Sequence, residues 1–153
     1  MTRKIRMLVV EDEMTLRLGI RMQLENIEVP DSTIEVIDRQ NLVAAKQDVE
    51  TGPRFDVAII DLRLGGQSGI DNDAGFKAIE LLQEQSPPVP VVILSARNDF
   101  EAKERAKTLT NVRFFLTKNW ASVALQQAVV SCLSGDIHEM RFIGNFEESD
   151  SCE

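Results

Sequence analysis

The sequence predicts an α/β domain, a doubly wound five-stranded parallel sheet with helices on both faces, and three observations predict it. Short, β-branched apolar runs alternate with longer stretches of helical periodicity, the pattern of repeated βαβ units. The first, third and fourth of these runs are almost continuously apolar, as strands are when helices cover both faces of a parallel sheet. Turn-forming residues fall between the two kinds of segment.

Taken in order, Ile5 to Val10 is the first strand, and it ends in the acidic triplet Glu11-Asp12-Glu13. Leu16, Ile20, Leu24 and Ile27 recur at helical spacing and predict the first helix. Pro30-Asp31-Ser32 then introduces a second strand over Thr33 to Ile37, and Leu42, Ala45 and Val49 mark the second helix. Thr51-Gly52-Pro53 precedes the third strand, Val57 to Ile60, which ends in Asp61. Phe76, Ile79 and Leu82 predict a third helix, stopped by Ser86-Pro87-Pro88. Val89 to Leu94 is the fourth strand, ending in Ser95, and Ala102, Ala106 and Leu109 mark the fourth helix. The fifth strand, Val112 to Leu116, ends in Thr117-Lys118. Leu125, Ala128, Val129, Cys132 and Leu133 make the apolar face of a fifth helix. One connection is too long for this architecture: Gly65 to Gly75 carries four glycines and two aspartates where such loops usually take about two to six residues.

Length and charge narrow the function. A chain of 153 residues predicts one domain, with a radius of gyration of about 15 Å. Seventeen Lys and Arg against twenty-five Asp and Glu give a formal charge of −8, which argues against direct nucleic acid binding and against an anionic membrane surface. Two cysteines, Cys132 and Cys152, make no disulfide framework and have no partner at zinc-ligand spacing, so a reducing cytoplasm is expected. Met7-Leu8-Val9-Val10 is too short for a signal peptide, and no apolar run reaches membrane-spanning length.

In open α/β sheets, ligands sit beyond the carboxy ends of the strands, where this chain collects Glu11, Asp12, Glu13, Asp61, Ser95, Thr117 and Lys118. If the first and third strands are neighbours, Asp12 and Asp61 approach closely and repel unless a cation lies between them, and Mg²⁺ suits oxygen ligands with open water positions. The residues argue against a dinucleotide fold, because acids stand where a glycine-rich turn would have to meet pyrophosphate. A Walker loop and a G-x-S-x-G elbow are absent. A phosphohydrolase of D-x-D type loses support because Arg63 stands two residues after Asp61.

Four segments resemble the receiver domain of two-component response regulators, in the right order: Val9-Val10-Glu11-Asp12-Glu13, Asp56 to Leu64 around Asp61, Val92-Ile93-Leu94-Ser95-Ala96, and Phe115-Leu116-Thr117-Lys118. The resemblance runs from about Ile5 to Leu133 and implies a flavodoxin-like strand order of 2-1-3-4-5. It divides the chain into a receiver domain over 1–135 and an acidic tail over 136–153, six acids against one arginine, expected to be partly disordered. It implies that Asp61 accepts a phosphoryl group from a partner histidine kinase, a phosphotransfer protein or a small acyl phosphate. Asp12, Asp61 and the backbone carbonyl of Arg63 would hold Mg²⁺, with Glu11 acting mainly through water. Lys118 and Ser95 would bind phosphoryl oxygens, and Ser95 and Phe115 would carry the switch to the surface. Such a protein is a self-catalysed phosphoacceptor switch rather than a turnover enzyme. Its expected partners are the kinase and a downstream protein, or a second copy through the face made by the fourth helix, fifth strand and fifth helix.

Some features depart from that pattern. Asn119 stands where receivers usually have proline, and the Gly65 to Gly75 segment is long enough to be a lid, a partner-binding surface or a mobile loop. These two features motivate the alternative of a phosphorylation-independent pseudo-receiver, an interaction module. Asp71-Asn72-Asp73 is similar to the start of a calcium loop, but Gly75 and Phe76 break that pattern. His138, the single histidine, is read as a surface residue. The fifth helix has no charged residue from Trp120 to Ser134, so its Val123, Gln127 and Val130 side is expected to be covered by an apolar partner or by the tail.

Overall fold

The computed structural model describes residues 2–66, 69–71, 73–96, 99–135, 139–144 and 146. Strands β1 (Arg3–Val10), β2 (Ser32–Arg39) and β3 (Val57–Ile60) precede a short hairpin, β4 (Leu64–Gly66) and β5 (Gly69–Asp71). Then come β6 (Val91–Ser95), β7 (Val112–Thr117) and β8 (Arg141–Ile143). The helices are α1 (Met14–Glu25), α2 (Leu42–Thr51), α3 (Ala74–Gln83), α4 (Phe100–Lys107) and α5 (Ala121–Ser134). The main sheet is parallel throughout, with order β2-β1-β3-β6-β7-β8, so the five predicted strands are present in the predicted order and a sixth is added.

Two apolar layers sandwich the sheet. Alternate residues of the strands face opposite sides, so Leu8, Ala58, Ile60, Ile93 and Phe115 pack with Val49, Phe76, Ile79, Leu82 and Ala106 from α2, α3 and α4. Met7, Val9, Ile59, Val92 and Leu116 pack instead with Ile20, Leu24, Leu125 and Val129 from α1 and α5. Burial on both faces explains why the central strands read as unbroken apolar runs. Asn111 is a buried polar exception, and its side-chain amide donates to the carbonyls of Ile79 (3.2 Å) and Val89 (3.0 Å), tying α3 to the chain entering β6 and β7.

Two segments differ from the sequence reading. The long Gly65 to Gly75 connection forms the antiparallel β4-β5 hairpin, and Gly75 already lies in α3; residues 67, 68 and 72 fall outside the described residues. The hairpin's base is tied to α4, where Arg105 pairs with Asp73 at 2.6 Å and stacks over the Phe76 ring at 4.2 Å. The second difference is β8, which no strand reading anticipated, drawn from the segment read as an acidic, partly disordered tail. Phe142 turns to the α4 layer and Ile143 to the α5 layer, so the strand meets both cores. The acidic residues 147–150 and His138 lie outside the described residues.

β8 also changes the reading of two surfaces. It covers the edge of β7 beside α4, so a second copy approaching the fourth helix, fifth strand and fifth helix would meet β8 rather than bare β7. The uncharged side of α5 is a different surface: Val123 is 67% exposed and Val130 43%, and the described tail residues do not cover them. Among the described residues, no helix is long and apolar enough to cross a membrane.

Candidate functional site

Register places the site. Val10 pairs with Ile60, and the Asp61 N–H donates to the Val10 carbonyl at 3.0 Å, so Glu11 and Asp61 leave neighbouring strands side by side. On the other side, Ser95 pairs with Thr117 at the ends of β6 and β7, and Lys118 opens a 3-10 turn. Its ammonium donates to Glu11 Oε1 at 2.9 Å and to Asp61 Oδ2 at 3.0 Å. The Arg63 N–H donates to the other Asp61 oxygen at 3.2 Å. Asp12, Asp61, Arg63, Ala96 and Lys118 line a cavity of about 190 Å³.

The acidic triplet divides its work. Glu13 caps α1, its carboxylate accepting from the N–H groups of Thr15 (3.1 Å) and Leu16 (2.6 Å). Glu11 and Asp61 are buried and Asp12 is exposed, with carboxylate oxygens of all three within 4.8 Å of one another. The Glu11 carboxyl is pushed up to about 8 from 4.5, by burial first and then by the neighbouring Asp61, while Lys118 pulls the other way. Lys118 itself is raised: burial opposes this, and its bonds to Glu11 and Asp61 outweigh burial. One ammonium therefore faces three carboxyl groups, of which Glu11 holds its proton up to about pH 8.

As a carboxylate, Glu11 would leave its buried Oε2 without a hydrogen-bond donor among the described residues, which is costly, and its raised carboxyl keeps a proton beside Asp61 instead. A hard cation with oxygen ligands satisfies both that atom and the excess charge, so the residues present fit a divalent metal. The raised Glu11 carboxyl also sets a pH dependence. Its protonated form is favoured by folding, so the stability it contributes is present below about 4.5 and lost as pH rises to about 8. In chelator, the urea midpoint is expected to fall between pH 5 and 8, and Glu11→Gln is expected to flatten that fall; an unchanged slope would rule Glu11 out as its source.

Glu11, Asp12, Asp61, Arg63 and Lys118 are thus brought together. Ser95 is fully buried, next to Thr117 in register, and at the end of β6 it is Ala96 that lines the cavity. Phe115 lies two residues before the end of β7, fully buried, on the α4 side. The Lys118–Asn119 peptide is trans, and Asn119 accepts a 2.6 Å hydrogen bond from the Thr117 hydroxyl. That contact, and the packing of Phe142 and Phe146 on Phe115, have no signature in the local sequence.

A parallel α/β sheet with carboxylates and a lysine converging at its carboxy ends defines a class, and comparison with known proteins narrows it. The model of the response regulator receiver domain matches residues 7–130, and the chain belongs to that family. Solved structures agree in fold. The N-terminal domain of a response regulator/sensory box/GGDEF protein from Carboxydothermus hydrogenoformans is 23% identical, with a TM-score of 0.67 over 86% of this chain and 95% of that one. A response regulator receiver protein from Sinorhizobium medicae is 20% identical, with a TM-score of 0.65 over 86% and 95%. RcsB of Salmonella typhimurium is 19% identical, with a TM-score of 0.69 over 88% of this chain and 62% of that chain. No curated protein matches the chain.

Proposed function

We propose that this receiver is a phosphorylation-controlled switch in the cytoplasm, with Asp61 as acceptor and a histidine kinase or phosphotransfer protein as donor. The observation that carries the reading is the Lys118 ammonium held between Glu11 and Asp61 at the wall of a cavity that also exposes Asp12. Phosphoryl transfer asks a protein for position and charge compensation more than for covalent assistance, and this site supplies both. An Asp61 carboxylate oxygen forms a bond to phosphorus as the phosphorus–nitrogen bond to the donor imidazole breaks, the electron pair staying with nitrogen. Lys118, already on Asp61, pairs with a phosphoryl oxygen, and the Ser95 hydroxyl donates to another. Asp12, Asp61, the Arg63 carbonyl and Glu11, the last mainly through water, would hold Mg²⁺, which neutralises phosphoryl charge when bound. Water later attacks phosphorus, the bond to Asp61 breaks, and inorganic phosphate leaves with the carboxylate restored. The cycle resets a state rather than turning over a metabolite. Ser95 and Phe115 carry the change outward to a downstream protein.

The test is intact mass after incubation with acetyl phosphate and Mg²⁺. One phosphoryl group is expected on the native chain, with none on Asp61→Asn and none in EDTA. Equal uptake by Asp61→Asn would remove Asp61 as the acceptor. No uptake by the native chain would overturn the switch and favour a phosphorylation-independent interaction module.

A further inference from the structure

The contacts of β8 lead to the acceptor pocket in a few steps. Phe142 and Phe146 close on the buried Phe115 ring, at centroid distances of 5.7 and 4.9 Å, and pack on each other at 5.3 Å. Gly144, at φ +124°, lies so close to Thr117 that a Cβ there would overlap the threonine side chain. The same Thr117 hydroxyl that Gly144 crowds donates to Asn119 Oδ1 at 2.6 Å, and the next residue, Lys118, holds its ammonium 3.0 Å from Asp61. Gly144, Thr117, Lys118 and Asp61 thus form a continuous series of contacts with no slack at its outer end.

The strand at that end is lightly held. Its ladder to β7 spans three residue pairs, Phe114 with Arg141, Phe115 with Phe142 and Leu116 with Ile143. Arg141 is exposed and Phe142, Ile143, Gly144 and Phe146 are half-buried, whereas the β7 residues beneath them are buried. Short edge strands with few buried contacts open well below the free energy of global unfolding.

We propose that β8, with Gly144 and Phe146, occupies a strand-addition site along the β7 edge and is released when Asp61 is phosphorylated, uncovering that edge and the Phe115 ring as the switched surface. This rests on the acceptor reading given above. A phosphoryl group on Asp61 takes over the oxygen to which Lys118 donates, so the lysine and the end of β7 re-seat on the new oxygens. Thr117 shifts with them, and Gly144 has no space to follow. Once β8 leaves, β7 presents unpaired backbone donors and acceptors beside an aromatic side chain, which suits an added strand from another protein. Coupling of this kind is reciprocal in binding free energy, so detaching the strand must tighten binding at Asp61.

Hydrogen exchange of the 139–146 peptide in the full chain, read alongside intact mass, tests this. With acetyl phosphate and Mg²⁺, exchange there is expected to quicken by about tenfold, towards the low end of the range for such couplings, and to stay slow in Asp61→Asn. Gly144→Val is expected to exchange fast without phosphate and to bind beryllofluoride, a phosphoryl mimic, about tenfold more tightly. Phosphorylated chain with unchanged exchange would overturn the coupling while leaving the acceptor intact. So would a Gly144→Val protein whose strand is detached but whose beryllofluoride affinity matches the native chain. A chain that takes up no phosphoryl group overturns the acceptor reading, and the coupling falls with it.

Discussion

Lys118→Met is expected to destabilise the metal-free protein by about 3 kcal/mol, the low end of the cost of leaving buried charge without its partner. Lys118 is the side chain that neutralises Glu11 and Asp61, both nearly fully buried, and methionine fills similar space without charge. Losing the lysine also removes the influence that lowers the Glu11 carboxyl, so Glu11 holds its proton to higher pH than in the native chain. The sign follows: the penalty is small below about 4.5, where the carboxyl is protonated in folded and unfolded chains alike, and grows as pH rises. A divalent cation held among Glu11, Asp12 and Asp61 would compensate the same charge. Urea unfolding at pH 6 and pH 8, with and without Mg²⁺, should therefore show the largest deficit at pH 8 in chelator and a partial recovery with metal. Equal stability under all four conditions would show that Lys118 does not balance the carboxylates.

Gly75→Ala is expected to cost about 3 kcal/mol, at the upper end for overpacking. A Cβ at Gly75 would overlap the Asp61 carbonyl oxygen and the Leu62 backbone, and backbone cannot turn aside as a flexible side chain would. The Gly75 N–H also donates to the Leu62 carbonyl at 3.3 Å, so the start of α3 is pressed directly against the segment that carries Asp61. The substitution should lower phosphoryl uptake from acetyl phosphate along with stability. Gly19→Ala is the control: it lies in α1 with nothing within 4 Å of its Cβ position, and alanine there should add up to about 1 kcal/mol through helix propensity. Native-like stability of Gly75→Ala in urea would mean that α3 can back away from the site without cost.

Much of the site was legible because strand ends are marked locally. The third strand, Val57–Ile60, has the bounds the apolar run predicts, since four buried residues between polar neighbours leave no other reading. β1 and β2 instead extend outward to Arg3 and Arg39, where salt bridges from Arg3 to Asp56 and Arg39 to Asp48 let charged residues join the ladder. The hairpin was hidden because its glycines and small polar residues carry no strand signature; pairing between Leu64 and Asp71 makes it a hairpin. β8 was hidden for a related reason. Three residues, Arg141-Phe142-Ile143, in an acidic segment fall below any periodicity test.

Apolar period and polar punctuation are written locally, so the sandwich and the residues at its strand ends could be read from the chain alone, and the strand order through resemblance. Only the folded chain shows that Glu13 caps α1 while Glu11 turns inward beside Asp61, with one oxygen lacking a hydrogen-bond partner among the described residues. It alone decided that the tail supplies a sixth strand, with Phe142 and Phe146 on Phe115. The physical reason is the same in both cases. Charge compensation and strand pairing depend on what lies across space, and the residues concerned are separated by the rest of the chain.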